Sequence, residues 1–199
     1  MMANRSVAVF PRYLYRKLFD GDDRAMEHFL ATVCTPSWNE EQDAGRKFAD
    51  ACASLKLAYP SEAKLIDAWI ERYDEMLAGP ISGAVDILTE LRCRGIPLYA
   101  LSNWSAETTF PVALRRFEFL KWFQGVLLSG EVRLVKPDAR FFELFFATFA
   151  IDPARAIYID EQRRNVEIAN AFGMHGIVFT NPPALRSELV RVGMIPEEP

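Results

Sequence analysis

The sequence predicts an α/β fold: a parallel sheet with helices on both faces, and a helical cap inserted after the first strand. Three observations lead there. Residues 12–78 carry only helical apolar spacing. Beyond the break at Gly79-Pro80, short apolar runs alternate with helix-length amphipathic segments, the grammar of βαβ units. An apolar run, Val7-Ala8-Val9-Phe10, precedes the helical stretch and reads as a first strand. The organisation implied is a core of residues 1–11 and 79–199 carrying residues 12–78 as the cap.

Each element has a local reason. In the cap, Asp22 or Asp23 is placed to start a helix whose apolar positions are Met26, Phe29, Leu30 and Val33, one buried face. Phe48, Cys52 and Leu55 repeat that spacing until Pro60 stops it, and Ser61 is placed to cap a helix carrying Leu65, Ile66, Trp69, Tyr73 and Leu77. In the core, Val85, Leu88 and Leu91 mark a helix ended by Gly95. Strands follow at Pro97–Leu101, Gly125–Ser129, Ala156–Asp160 and Gly176–Phe179, with helices near 106–116, 138–149, 163–172 and 183–192 between and after them. The stripe of Phe141, Phe142, Phe145, Phe146 and Phe149 has helical spacing and reads as core.

Composition removes several classes of function. Half of the 199 residues are hydrophobic, enough for a sizeable core. A net charge of −4 with no clustered basic excess argues against a nucleic-acid surface. Cys34, Cys52 and Cys93 match no metal spacing and make a poor disulfide framework, so they read as free thiols in a reducing cytosol. His28 and His175 are too few and too scattered for a histidine metal site. Arg5, Arg12, Arg16 and Lys17 precede any acid, as in a transit peptide, but the apolar run beside them is too short for a signal-peptide core. No stretch reaches the length of a membrane span.

Ligands of such sheets bind at the carboxyl ends of the strands, which selects the residues to question. Asp160 and Glu161 follow an apolar strand. An acidic pair there suits Mg²⁺, a hard cation that takes oxygen ligands, or equally the positive N-terminus of a helix. Lys136, in Leu134-Val135-Lys136-Pro137-Asp138, is placed to neutralise an anion, although most lysines are simply exposed. Ser102 and Asn103 end another strand. They suit anion binding or ordinary turn chemistry.

Taken in order, these signals are more specific. Leu101-Ser102-Asn103, Gly130-Glu131-Val132 ahead of Lys136-Pro137, Ile159-Asp160-Glu161 with Asn165-Val166, and then Gly173-Met174 resemble the haloacid dehalogenase superfamily. The cap position resembles the subfamily with small helical caps, which holds phosphatases and 2-haloacid dehalogenases. That resemblance implies a Rossmann-like core and a hydrolase acting through an aspartyl intermediate. It implies that Ser102 binds the transferring phosphoryl group, that Asn103 orients substrate, and that Lys136 pairs with nucleophile and phosphate. It also implies that Asp160 and Glu161 hold Mg²⁺. Phosphate-ester hydrolysis ranks ahead of dehalogenation, because an acidic pair implies a metal that dehalogenation on this scaffold does not need. The expected ligand is a small phosphorylated or carboxylated molecule.

The resemblance breaks at the nucleophile. Family members carry an aspartate directly after the first strand. Here Phe10 runs straight into Pro11-Arg12-Tyr13-Leu14, and the nearest acid is Asp20, inside the cap. Glu161 stands where most relatives have aspartate, and Gln162 where they have serine. The chain as written is therefore expected to be inactive and to hold Mg²⁺ weakly. The alternative is a non-catalytic relative that binds a ligand or partner.

Overall fold

A computed structural model describes residues 2–3 and 9–197 of the chain. Strands β1 (Met2–Ala3), β2 (Tyr99–Ser102), β3 (Gly125–Leu128), β4 (Ile157–Asp160) and β5 (His175–Val178) form one sheet in the order β3-β2-β1-β4-β5. All pairings are parallel. Ser102 pairs in register with Leu128, and Asp160 with Val178. The two residues thus stand at the same edge of the sheet, on strands that flank β1.

Before β2 the chain is helical: α1 (Pro11–Leu18), α2 (Asp23–Thr32), α3 (Pro36–Asp43), α4 (Phe48–Ala58) and α5 (Ala63–Glu71). The Asp22 side chain caps α2 by accepting from the Ala25 N–H at 3.0 Å, and Thr35 caps α3 through the Trp38 N–H at 3.1 Å, each satisfying an otherwise unpaired helix N–H. Ser61 is not the cap expected of it. It lies inside a 3₁₀ turn, Pro60–Glu62, which runs directly into α5. The proline starts that turn, so α5 needs no separate polar cap there.

Helices α6 (Ser82–Cys93), α7 (Thr109–Arg116), α8 (Ser129–Val132), α9 (Ala139–Phe149), α10 (Arg163–Ala171) and α11 (Pro182–Arg191) alternate with the strands. Side chains alternate across a strand, so Tyr158 and Ile159 enter different apolar clusters. Tyr158 joins Leu101, Leu127 and the fully buried Phe141, Phe142 and Phe145 of α9. Ile159 joins a larger cluster with residues of α6, α11 and the helices before α6.

The first strand is a correction. The described strand is Met2–Ala3, not Val7–Phe10; Val7 and Ala8 lie outside the described residues. Val9 instead bridges Leu77 in antiparallel fashion, and the Phe10 N–H donates to the Met76 carbonyl at 2.7 Å. This segment is tied to the end of the helical stretch and turns at once into α1, with Pro11 in its first turn. Proline there is pre-set for a helix start.

One glycine lets two site loops meet. A Cβ on Gly130 would stand 2.7 Å from the Ala106 nitrogen and 3.0 Å from the Trp104 carbonyl oxygen. The loop after β3 therefore lies backbone-to-backbone on the loop after β2, and the Gly130 N–H bonds the Trp104 carbonyl at 3.2 Å.

Candidate active site

The strand-end residues singled out by the sequence converge. The Lys136 Nζ donates to Asp160 Oδ2 at 2.8 Å and to the Leu101 carbonyl at 2.9 Å. Both side chains of this ion pair are fully shielded from solvent. Asn103 holds the lysine in place from the next strand end. Its Oδ1 accepts from the Lys136 N–H at 2.8 Å, and its Nδ2 donates to the Lys136 carbonyl at 3.1 Å.

Asp160 is saturated with donors. Oδ2 also accepts from the Tyr158 hydroxyl at 2.7 Å. Oδ1 accepts from the Gln162 N–H at 2.8 Å and from Asn165 Nδ2 at 3.0 Å. Burial by itself pushes this carboxyl up, but the Lys136 ammonium and the hydrogen bonds from Lys136, Gln162 and Tyr158 hold it below the ordinary carboxylate range. Burial pulls Lys136 down, against the attraction of Asp160. Burial and the Asp160 charge both push the Tyr158 phenol up, so it remains a donor.

Above this pair lies a cleft of about 310 Å³. Ser102, Asn103, Glu161 and Asn165 line it from the sheet side, and Asn39, Glu40 and Asp43 line it from α3. Lys136 and Asp160 are not among its described walls. Asp20, the acid nearest the N-terminus, is exposed at the end of α1 and lines neither this cleft nor its neighbour.

Magnesium finds an incomplete donor set among the described residues. Both Asp160 oxygens are already engaged, leaving Glu161 as the acid of the expected pair that faces the cleft. No group of three or more His, Cys, Asp or Glu able to hold a metal occurs among them. A near-octahedral ion that takes its protein ligands from carboxylates is poorly served by this arrangement.

Sequence reasoning missed Asp43, which links α3 to the core loops. Its Oδ1 accepts from the Ser105 N–H at 3.1 Å, and its carbonyl accepts from the Ser129 hydroxyl. Partners 62 and 86 positions away leave no local signal. Tyr158 was also missed, because a tyrosine in an apolar strand reads as core. Asn165 had a signal: it lies five residues after Asp160, in the first turn of α10.

Burial pushes the Asp43 carboxyl up to about 7; the Ser105 N–H opposes this and Glu40 adds to it. The other charged groups lining its cleft and the adjoining cavity are Glu161, Arg164, Arg12 and Glu27. A raised folded-state pKa makes its protonated form the stabilising one. That contribution is lost as pH rises from the ordinary 3.8 through about 7. Asp43→Asn is therefore expected to gain stability relative to the unmodified chain as pH increases from acid to mildly alkaline. Urea unfolding of both proteins across that range measures it, and a pH-independent difference would refute the assignment.

Known proteins bear on this geometry. The sequence pattern of the haloacid dehalogenase-like hydrolases matches residues 37–179. A sesquiterpene phosphatase of Aspergillus oryzae is 28% identical over 55% of this chain and 56% of its own length. A flavin mononucleotide hydrolase of Arabidopsis thaliana is 24% identical over 57% of this chain and 46% of its own. The chain thus spans about half the length of these curated relatives. A haloacid dehalogenase family enzyme from Bacteroides thetaiotaomicron, solved with magnesium and inorganic phosphate, superposes with a TM-score of 0.65 at 17% identity, covering 90% of this chain and 91% of that one. At that identity the likeness is one of fold, and it agrees with the parallel α/β core. With the family pattern matched over most of its length, this chain belongs to the haloacid dehalogenase-like hydrolases.

Proposed function

We propose that this chain is a phosphate-ester-directed member of its family that binds a small phosphorylated molecule at the strand ends and does not hydrolyse it. The observation that carries the reading is the closed Lys136–Asp160 pair. Lysine in this scaffold is expected to face a nucleophilic aspartate and a phosphate, but here, among the described residues, the carboxylate at hydrogen-bond distance from it is Asp160. A covalent nucleophile is needed after the first strand, but the sequence between Ala3 and Pro11 contains no carboxylate, and Asp20 is exposed and does not line the described cleft. Phosphate is preferred to halide because the curated relatives named above are a phosphatase and a nucleotide hydrolase.

An oxyanion in the cleft would meet the Ser102 hydroxyl among its walls, while the shielded Lys136 ammonium acts on it as a charge from beneath and not as a direct donor. Magnesium is expected to add little, given the engaged Asp160. Cys34, Cys52 and Cys93 are free thiols, which fits a reducing compartment such as the cytosol. Among the described residues no helix is long and apolar enough to cross a membrane.

Calorimetric titration with inorganic phosphate tests the proposal. Weak binding is expected, on the order of millimolar, unchanged by magnesium and weakened several-fold in Ser102→Ala. Absence of binding, or binding that requires magnesium, would overturn it.

A further inference from the structure

We propose that Asn39, Glu40 and Asp43 select a neutral, hydroxyl-bearing organic group on the phosphate ester, and reject both a second anion and a long hydrocarbon chain. This rests on the phosphate-ester reading above. The three residues occupy a particular place. They line the cleft over the strand ends, and they also line an adjoining cavity of about 540 Å³ inside the cap, walled further by Leu30, Cys34 and Trp69. An organic group extending from a phosphate at Ser102 toward the cap meets this row first.

The chemistry of the row decides what it accepts. Carboxylates and an amide accept hydrogen bonds from hydroxyl groups. A second phosphate or carboxylate would face Glu40 and Glu161 with like charge. A hydrocarbon chain would strip water from these polar groups and return no hydrogen bond. The arginines on these walls do not reverse either preference. Arg12 in the cap cavity is neutralised by its ion pair with Glu27. Arg164 is outnumbered by Glu40 and Glu161 for an anion, yet repels an organic ammonium, which also finds Asp43 only partly ionised near neutrality. A partly protonated carboxyl both donates and accepts, as a hydroxyl partner requires.

Two unsatisfied atoms point the same way. Asn165 lines the cleft at 3% exposure, and its Oδ1 accepts no hydrogen bond from the described protein. Trp69 lines the cap cavity at 2% exposure, and its indole N–H has no partner there. Buried polar groups are normally paired. One lacks a donor and the other an acceptor, and a hydroxylated molecule supplies both. The Asn39–Asp43 side-chain hydrogen bond is long at 3.3 Å, so it is readily exchanged for one to a ligand.

The test compares four probes by calorimetry: inorganic phosphate, glycerol 3-phosphate, 3-phosphoglycerate and geranyl monophosphate. Glycerol 3-phosphate is expected to bind about tenfold more tightly than inorganic phosphate, equivalent to about 1.4 kcal/mol, with the other two esters gaining nothing over phosphate. In Glu40→Gln, an exposed position that leaves folding intact, rejection of 3-phosphoglycerate should relax. In Asp43→Asn the glycerol 3-phosphate to phosphate ratio should shift with pH less than in the unmodified chain. Phosphate binding without any glycerol 3-phosphate preference, or with geranyl monophosphate the tightest, overturns this inference alone. Failure of inorganic phosphate to bind overturns the underlying site reading, and this one with it.

Discussion

Replacing Lys136 with methionine is expected to lower the unfolding free energy by about 3–5 kcal/mol, the cost of stranding one partner of a buried ion pair. Methionine has a similar length and leaves little cavity, so the loss reports the charge. Asp160 would keep its hydrogen bonds from Tyr158, Gln162 and Asn165 but lose the counter-ion it has at hydrogen-bond distance among the described residues. The pH dependence separates this from simple misfit. In the unmodified chain Asp160 is held below its ordinary 3.8, so its contribution is present above that value and is lost only as pH falls through the lower folded-state value. Without the ammonium, burial raises the carboxyl, and acid then neutralises it in the folded protein. The deficit of Lys136→Met should therefore shrink as pH falls from neutrality to about 4. Lys136→Met combined with Asp160→Asn should recover part of the loss, because the stranded charge is gone. A deficit below about 1 kcal/mol, or one indifferent to pH, would show that the pair matters little.

The chain as given is expected to show no magnesium-dependent turnover of a generic aryl phosphate, while a version carrying an aspartate-bearing loop between Ala3 and Pro11 gains it. Attack on phosphorus needs a carboxylate held in line at roughly 3–3.5 Å. Pro11 has no nucleophile and is fixed in the first turn of α1. Asp20 sits at the far end of that helix in a left-handed turn, with φ +50°. Loss of a covalent nucleophile costs roughly four to six powers of ten in rate, which puts the unmodified chain near background. Asp160→Asn is the control, since it spoils the Lys136 anchor without touching the loop. Turnover by the unmodified chain that disappears in Asp160→Asn would mean an unrecognised nucleophile serves the site. Activity confined to the loop-bearing version would show a sound scaffold lacking one group.

Much of the site was legible because strand ends are local. Ser102, Asn103, Lys136 and Asp160 each follow or precede an apolar run, and parallel topology brings such ends to one edge. Their detailed roles were less legible. Lys136 read as well as a surface lysine as it did an anion partner, yet it is 3% exposed. Asn103 read as a substrate contact, and its amide is spent on the Lys136 backbone. Both outcomes depend on pairings 24 to 35 positions apart, which no window of sequence contains. The expected first strand failed at its described half, Val9–Phe10, for a different reason. A run of four apolar residues fits a strand or a packed connector equally well, and Val9–Phe10 is the connector.

The larger apolar cluster has a consequence for how the molecule comes apart. Leu14, Phe29, Trp38 and Trp69 of the helical segment expected to form a cap belong to one continuous cluster with Leu88, Leu91, Leu120, Ile159 and Leu189. A module that closes over a site through polar contacts alone could open, or be deleted, without exposing oil to water. Here residues on both sides of the boundary take their burial from the same mass of side chains. Excising residues 12–78 would remove a large part of that shared cluster, so the remainder is not expected to be a self-sufficient domain. A single melting transition for the helical segment and that face of the sheet is the expected outcome of calorimetry, since the two share this cluster.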